Sequence, residues 1–205
     1  MTVDEPPLAR GDRAEPEKQR LLREAVESEG EGQRLLLAGE PERAREPLVR
    51  AARLYRRSWE AAGPRSFGRL IGMLKAAVLA GGGGPEARYV REQLRDEADS
   101  AASRYAVALA ALVDGDDALA RRTAAEMNGD GAAFARTAEA IDALAAGDRE
   151  RYTRAVAAIV TDAEARDAHL TGVAIADTAL VLARIAARRG IVTDVDSPLL
   201  PLDLQ

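Results

Sequence analysis

The sequence predicts an all-α protein made of stacked antiparallel helix pairs, with an extended C-terminal tail. Three observations carry that expectation. The hydrophobic fraction is 47% but aromatic residues are only 3%, so alanine, leucine and valine supply it, alongside 31% charged residues. Alanine loses no side-chain entropy in a helix, and arginine and glutamate lose little. Apolar residues recur at three- and four-residue steps, and no period-two alternation runs long enough to indicate a strand. Finally, Leu36-x-x-Gly39-Glu40, Leu112-x-x-Gly115-Asp116 and Leu144-x-x-Gly147-Asp148 share one shape, with Ala44, Ala120 and Tyr152 each five residues after the glycine. Such a pattern reads as a helix end, a glycine cap, an acidic residue opening the next helix, and a side chain facing back on the previous one.

The elements follow in order. Residues 1–14, MTVDEPPLARGDRA, carry adjacent prolines and mixed charge and are expected to be disordered. Residues 15–205 are expected to form a single helical domain. Pro16 opens the first helical stretch, where a missing N–H is harmless; Gly30 and Gly32 suggest two short helices there, ending near Leu37. Pro41 starts a stronger helix with Ala44, Leu48, Ala52, Tyr55 and Trp59 on one stripe, kinked or delayed by Pro47. Gly63-Pro64 breaks the chain before a helix bearing Phe67, Leu70, Leu74 and Val78. Residues 81–84, all glycine, read as a flexible connection and the clearest internal boundary. Helices are then expected from Glu86, Ser100, Asp116, Ala132 and Asp148, and a last long one from Ala165 or Leu170 to Arg189. Gly115 and Gly147 are spaced at the low-thirties period of paired-helix repeats, while Gly39 and Gly115 are not. A helical bundle and a tetratricopeptide-like short solenoid therefore both remain open.

Composition excludes several function classes. The net charge of −5 argues against tracking nucleic-acid phosphates. No apolar run approaches the roughly 20 residues a bilayer requires. With no cysteine, thiolate catalysis and cysteine metal sites are absent; this suits a reducing compartment, and no apolar leader is visible, so a cytoplasmic location is expected. His169 is the only histidine and lacks a serine or threonine on a G-x-S-x-G turn. Glycines 81–84 lack the Gly-Lys-Ser/Thr ending of a phosphate loop. No enzyme activity and no cofactor are therefore expected. Asp114, Asp116 and Asp117 cluster at a helix junction, where capping explains them and an acidic contact patch is the alternative. Asp177, Arg184 and Arg188 fall on one stripe of the last helix, which is either its wet edge or a partner-binding surface. Trp59 reads as core.

The C-terminal segment Leu180-Val-Leu-Ala-Arg-Ile-Ala-Ala-Arg-Arg-Gly190 and the following Ile191-Val-Thr-Asp-Val-Asp-Ser-Pro-Leu-Leu-Pro201 resemble the close of a bacterial immunity protein family, the one numbered forty-nine. Tyr105-Ala-Val-Ala-Leu-Ala-Ala-Leu-Val-Asp-Gly-Asp-Asp-Ala and the Gly147-Asp148 helix pair are similar to its middle, so the likeness spans roughly Tyr105 to Leu202. The resemblance implies an all-helical antitoxin of a polymorphic toxin system, often actinobacterial, whose partner is a cognate toxin. The shared motifs are structural, so no catalytic residue carries over. A helical-repeat scaffold or regulatory interaction module is the alternative.

Overall fold

The computed structural model describes residues 10–63, 65–94 and 98–201, with side chains from Pro16 onward. Among them are nine α-helices and no strand: α1 (Arg10–Leu37), α2 (Pro41–Ala62), α3 (Gly68–Leu79), α4 (Gly84–Leu94), α5 (Ala101–Asp114), α6 (Asp117–Met127), α7 (Ala132–Ala145), α8 (Arg149–Glu164) and α9 (Asp177–Arg188). Consecutive helices pack as pairs from α1 to α9.

Two kinds of helix alternate along the chain, and their sequences explain why. The even helices α4, α6 and α8 bury a single stripe; in α4 it is Ala87, Val90 and Leu94, and in α6 Ala120, Thr123, Ala124 and Met127. By contrast, α5 buries every residue from Tyr105 to Leu112, and α3 every residue from Met73 to Leu79. A helix apolar on all sides must be surrounded by protein. Accordingly α3 packs on α5, α5 on α7, α7 on α9, and α9 back on α3. The odd helices α3, α5, α7 and α9 thus form an inner ring, with the even helices outside. This contact of α9 with α3 closes the stack, which an open solenoid would not do.

The four inner helices run parallel. Lys75 meets Asp177 while Gly82 meets Arg188. Likewise Tyr105 and Thr178 line one cleft, while the Leu112 carbonyl meets Arg189. Ala106, Ala108, Ala110 and Ala111 all have zero exposure. At about 0.8 kcal/mol per buried methylene-sized group, no one of them matters much. Their small size instead lets the helices approach and pack closely.

At one end, each odd helix finishes in the same turn. Gly39, Gly81, Gly115, Gly147 and Gly190 all have positive φ, from 70° to 91°. The next residue's N–H donates back to the helix, for example Glu40 to Leu35, Asp116 to Ala111 and Asp148 to Ala143, at 2.9–3.0 Å. This is the Schellman arrangement, which needs a left-handed residue and so favours glycine. Ala44, Ala120 and Tyr152, read as facing back, are fully buried. Asp116 and Asp148 cap α6 and α8 through the N–H groups of Leu119 and Arg151.

Several expectations are corrected. Helix α1 is continuous across Gly30 and Gly32, and it already begins at Arg10, inside the segment expected to be disordered; residues 1–9 lie outside the described residues. The two glycines serve contact, since a Cβ on Gly32 would meet the Leu48 side chain at 2.5 Å and one on Gly30 the Thr171 carbonyl oxygen at 3.0 Å. Helix α2 runs on through buried Pro47. Glycines 81–84 mark no division of the core: Gly81–Gly83 make a tight turn, Gly84 opens α4, and one hydrophobic cluster extends across both sides. The last helix is shorter than expected because residues 165–176 are irregular, turning at Gly172 (φ 70°). Trp59 is core, 6% exposed and packed against Phe67.

After α9 the chain returns along the bundle. Leu200 is buried, the Ala176 N–H donates to the Leu199 carbonyl at 3.0 Å, and the Ser197 hydroxyl donates to Glu164 at 2.7 Å. Residues 202–205 lie outside the described residues. Deleting Ile191 to Gln205 should lower stability by at least ~3 kcal/mol, the worth of burying one or two large side chains. An unchanged thermal unfolding midpoint would refute that docking.

Candidate functional site

The start of α9, beside the second half of α3, gathers a set of buried polar groups. A charged residue inside an otherwise apolar stretch marks each one. Lys75 is the only charged residue between Leu70 and Leu79, and Glu29 interrupts the α1 stripe of Leu22, Ala25, Val26 and Leu36. Glu29 is 3% and Lys75 8% exposed. The Lys75 ammonium donates to Asp177 at 2.7 Å and to the Thr178 hydroxyl at 2.8 Å, and it sits 5.9 Å from the Tyr105 ring centre. The Tyr55 hydroxyl donates to Glu29 at 2.6 Å and Gln33 donates to it at 3.3 Å, while Thr171 donates to Gln33. Two side-chain hydrogen-bond networks thus lie side by side, one joining α1, α2 and the 165–176 connection and the other joining α3 and α9.

The charges are unequally compensated. Burial alone would pull the Lys75 ammonium down, but Asp177 above all holds it above its ordinary value. Burial pushes Asp177 up, and Lys75 more than offsets this, leaving that carboxyl below its usual range. Glu29 has no such partner. Burial pushes its carboxyl up to about 7, although the Tyr55 hydrogen bond opposes the rise; Asp177 adds to it and Lys75 counters it. Glu29 can therefore take up or release a proton near neutrality.

Two small clefts open beside this cluster. One, of about 100 Å³, is lined by Glu29, Gln33, His169, Thr171 and Asp177, with Leu170, 80% exposed, at its rim. The other, of about 150 Å³, lies against Tyr105, Phe134, Arg136, Ile159 and Asp162. Arg166 and the Asp177-Thr178 start of α9 border both. His169 lies on the irregular connection, half-buried, and not on a helix. Among the described residues no three histidine or acidic side chains come together as a metal-ligand set.

The opposite end holds five of the six residues singled out from sequence. Asp114 and Asp116 both accept from Arg91, at 3.3 and 2.9 Å. Asp117 accepts from Arg189 at 2.6 Å, and Arg189 also donates to the Leu112 carbonyl. Arg188 donates to the carbonyls of Gly82 and Val78 at the end of α3. Arg184 and Arg188 border a cleft of about 560 Å³ with Glu42 and Arg45, and Arg188 and Asp117 border one of about 580 Å³. Asp177 is not with them. It opens α9 at the far end, paired to Lys75, so the supposed stripe of Asp177, Arg184 and Arg188 is divided between two ends.

Comparison with protein-family models, with curated proteins and with solved structures returns no match. No described helix is long and apolar enough to cross a membrane.

Two measurements probe the buried cluster. The folded value for Glu29 lies above its ordinary 4.5, so the folded state holds the extra proton. The stability this confers is full below pH ~4.5 and is lost as pH rises through about 7. Glu29→Gln should therefore flatten the fall in unfolding free energy between pH 5 and 8 by about 2–3 kcal/mol, at ~1.4 kcal/mol per pH unit; a mutant as pH-dependent as wild type would refute the assignment. Separately, Lys75→Met should cost about 3 kcal/mol in denaturant unfolding, the lower end of the range for breaking a buried pair, because Asp177 keeps a third of its side chain exposed. Adding Asp177→Asn should recover part of that loss.

Proposed function

We propose that this chain is a non-enzymatic immunity protein that binds a cognate bacterial polymorphic toxin in the cytoplasm and blocks it. The observation that carries the reading is the mixed-charge end face around the close of α9. The segment bearing the family likeness, residues 180–201, forms most of that inner helix and the return after it. Around its end lie Asp114, Asp116, Asp117, Arg184 and Arg188, together with two broad clefts of about 560 and 580 Å³. Broad clefts with charge of both signs suit a protein surface, where complementary charges set orientation and association rate. A scaffold or regulatory module is the second reading; an extended concave groove for it would require an open stack, whereas α9 packs on α3.

Co-expression with the product of the neighbouring gene tests the proposal. The expected result is rescue from toxicity with a co-purifying complex; a non-toxic neighbour that forms no complex refutes it. Arg45 is exposed at the edge of the cleft beside Arg184 and Arg188. Arg45→Glu should weaken the complex about tenfold or more while leaving the thermal midpoint of the free protein unchanged.

A further inference from the structure

The 150 Å³ cleft beside Tyr105 is built unlike the rest of the polar core, because its one carboxylate, Asp162, leaves two buried donors there without a partner. The Tyr105 hydroxyl is buried and has no hydrogen-bond partner, and the same holds for Nε of Arg136. Thr178 and Lys75 approach that oxygen from the donor side, which favours its ionised form, but no acceptor takes its own O–H. Both of those groups are already engaged, Lys75 donating to Asp177 and to Thr178. The Thr137 hydroxyl, also at the cleft, donates to the Ala133 carbonyl. Buried donors without partners are rare in folded proteins, and each calls for an explanation. Burial keeps the Tyr105 hydroxyl above its ordinary pKa, so it stays protonated and remains a donor at every physiological pH.

The charge balance points the same way. Asp162 accepts from both Arg136 and Arg166, and those two hydrogen bonds hold its carboxyl below the usual range, that of Arg166 foremost. Two guanidinium groups on one carboxylate leave one positive charge over. A water molecule would satisfy the hydroxyl, whereas an anion would also pair with the two guanidinium groups that share Asp162. The remaining walls are apolar: the Phe134 ring stands edge-on to Tyr105 with centroids 6.5 Å apart, and Ile159 completes them. The volume is on the order of five water molecules. Guanidinium groups pair with carboxylates through two parallel hydrogen bonds, and the hydrocarbon walls require a stem that a bare inorganic anion does not have.

We propose that this cleft binds a monocarboxylate on a short apolar or aromatic stem, its oxygens taken by the Tyr105 hydroxyl and by Arg136 and Arg166. The site lies at the opposite end of the bundle from the toxin-binding face, so it stands or falls independently of that reading. Calorimetric titration of the full chain with sodium benzoate and with isovalerate tests it, benzamide and benzylamine serving as controls of matched shape. Saturable binding of at least one acid, with both controls at least about tenfold weaker, is expected. Tyr105→Phe should weaken that acid about tenfold, as loss of a hydrogen bond to a charged group implies, while the ligand-free unfolding midpoint stays level or rises because an unsatisfied buried hydroxyl is gone. Exposed Arg166→Gln, which leaves the core untouched, should weaken it similarly. N-acetyl-leucine separates the sources: preference for it assigns the cleft to a chain terminus, and preference for the free acids assigns it to a small molecule. No binding by any of the three acids, equal binding of benzamide, or an affinity unchanged in both variants would overturn the proposal.

Discussion

Parallel helices set side by side bring like-signed ends together, and much of this molecule follows from accommodating that. Each helix carries about half a positive charge at its N-terminus and half a negative charge at its C-terminus. Four parallel inner helices therefore concentrate positive potential at one end of the ring and negative potential at the other. Some of the polar residues match this, while Asp116 and Asp117 at the other end open the outer helix α6. Asp177 sits in the first turn of α9, with Glu29 nearby, at the N-terminal end. At the other end Arg188 donates to carbonyls closing α3, and Arg189 to a carbonyl closing α5. These two arginines do for the inner helices what a capping side chain does for one, while linking α9 to two neighbours.

Lys75 is the exception that tightens the arrangement. A cation near the positive ends of the ring is unfavourable alone, and it is retained because Asp177 and the Thr178 hydroxyl receive it. The same pairing uses up the Asp177 charge, so Glu29 is left with only hydroxyl and amide donors. A carboxyl poised near neutrality is thus a by-product of how one lysine was satisfied. On the other side of Asp177-Thr178 the imbalance has the opposite sign, with two arginines sharing Asp162.

The helices and their turns were legible because local chemistry determines them. The Leu-x-x-Gly-acidic pattern marks left-handed caps at Gly39, Gly115 and Gly147, and Ser100 forms a reciprocal capping box with Ser103. Reading Gly30 and Gly32 as breaks failed because their role is set by distant partners, Thr171 and Leu48. The structure adds an alternation of all-apolar and striped helices, in segments such as residues 105–112 against 84–94, that distinguishes inner from outer positions. Which ends the acids and arginines occupy was not legible. Asp177 and Arg184 share a stripe on a helical wheel, yet only the parallel packing of α9 shows that one end of that stripe meets Lys75. Tyr105 and Glu29 were missed as polar groups because each sits in an apolar run, where the aromatic reads as core and the acid as an interruption.

The closure of the ring also sets how the chain must find its fold. Lys75 and Asp177 are separated by 102 residues, and Val78 and Arg188 by 110. Most all-helical proteins are dominated by contacts between neighbours in sequence and fold quickly for that reason. Here the helix hairpins can form early and locally, but α3 and α7 each keep a side uncovered until α9 arrives. Assembly therefore waits on a long loop closure, and the partly formed bundle exposes the apolar α3 meanwhile, a state open to association with other chains.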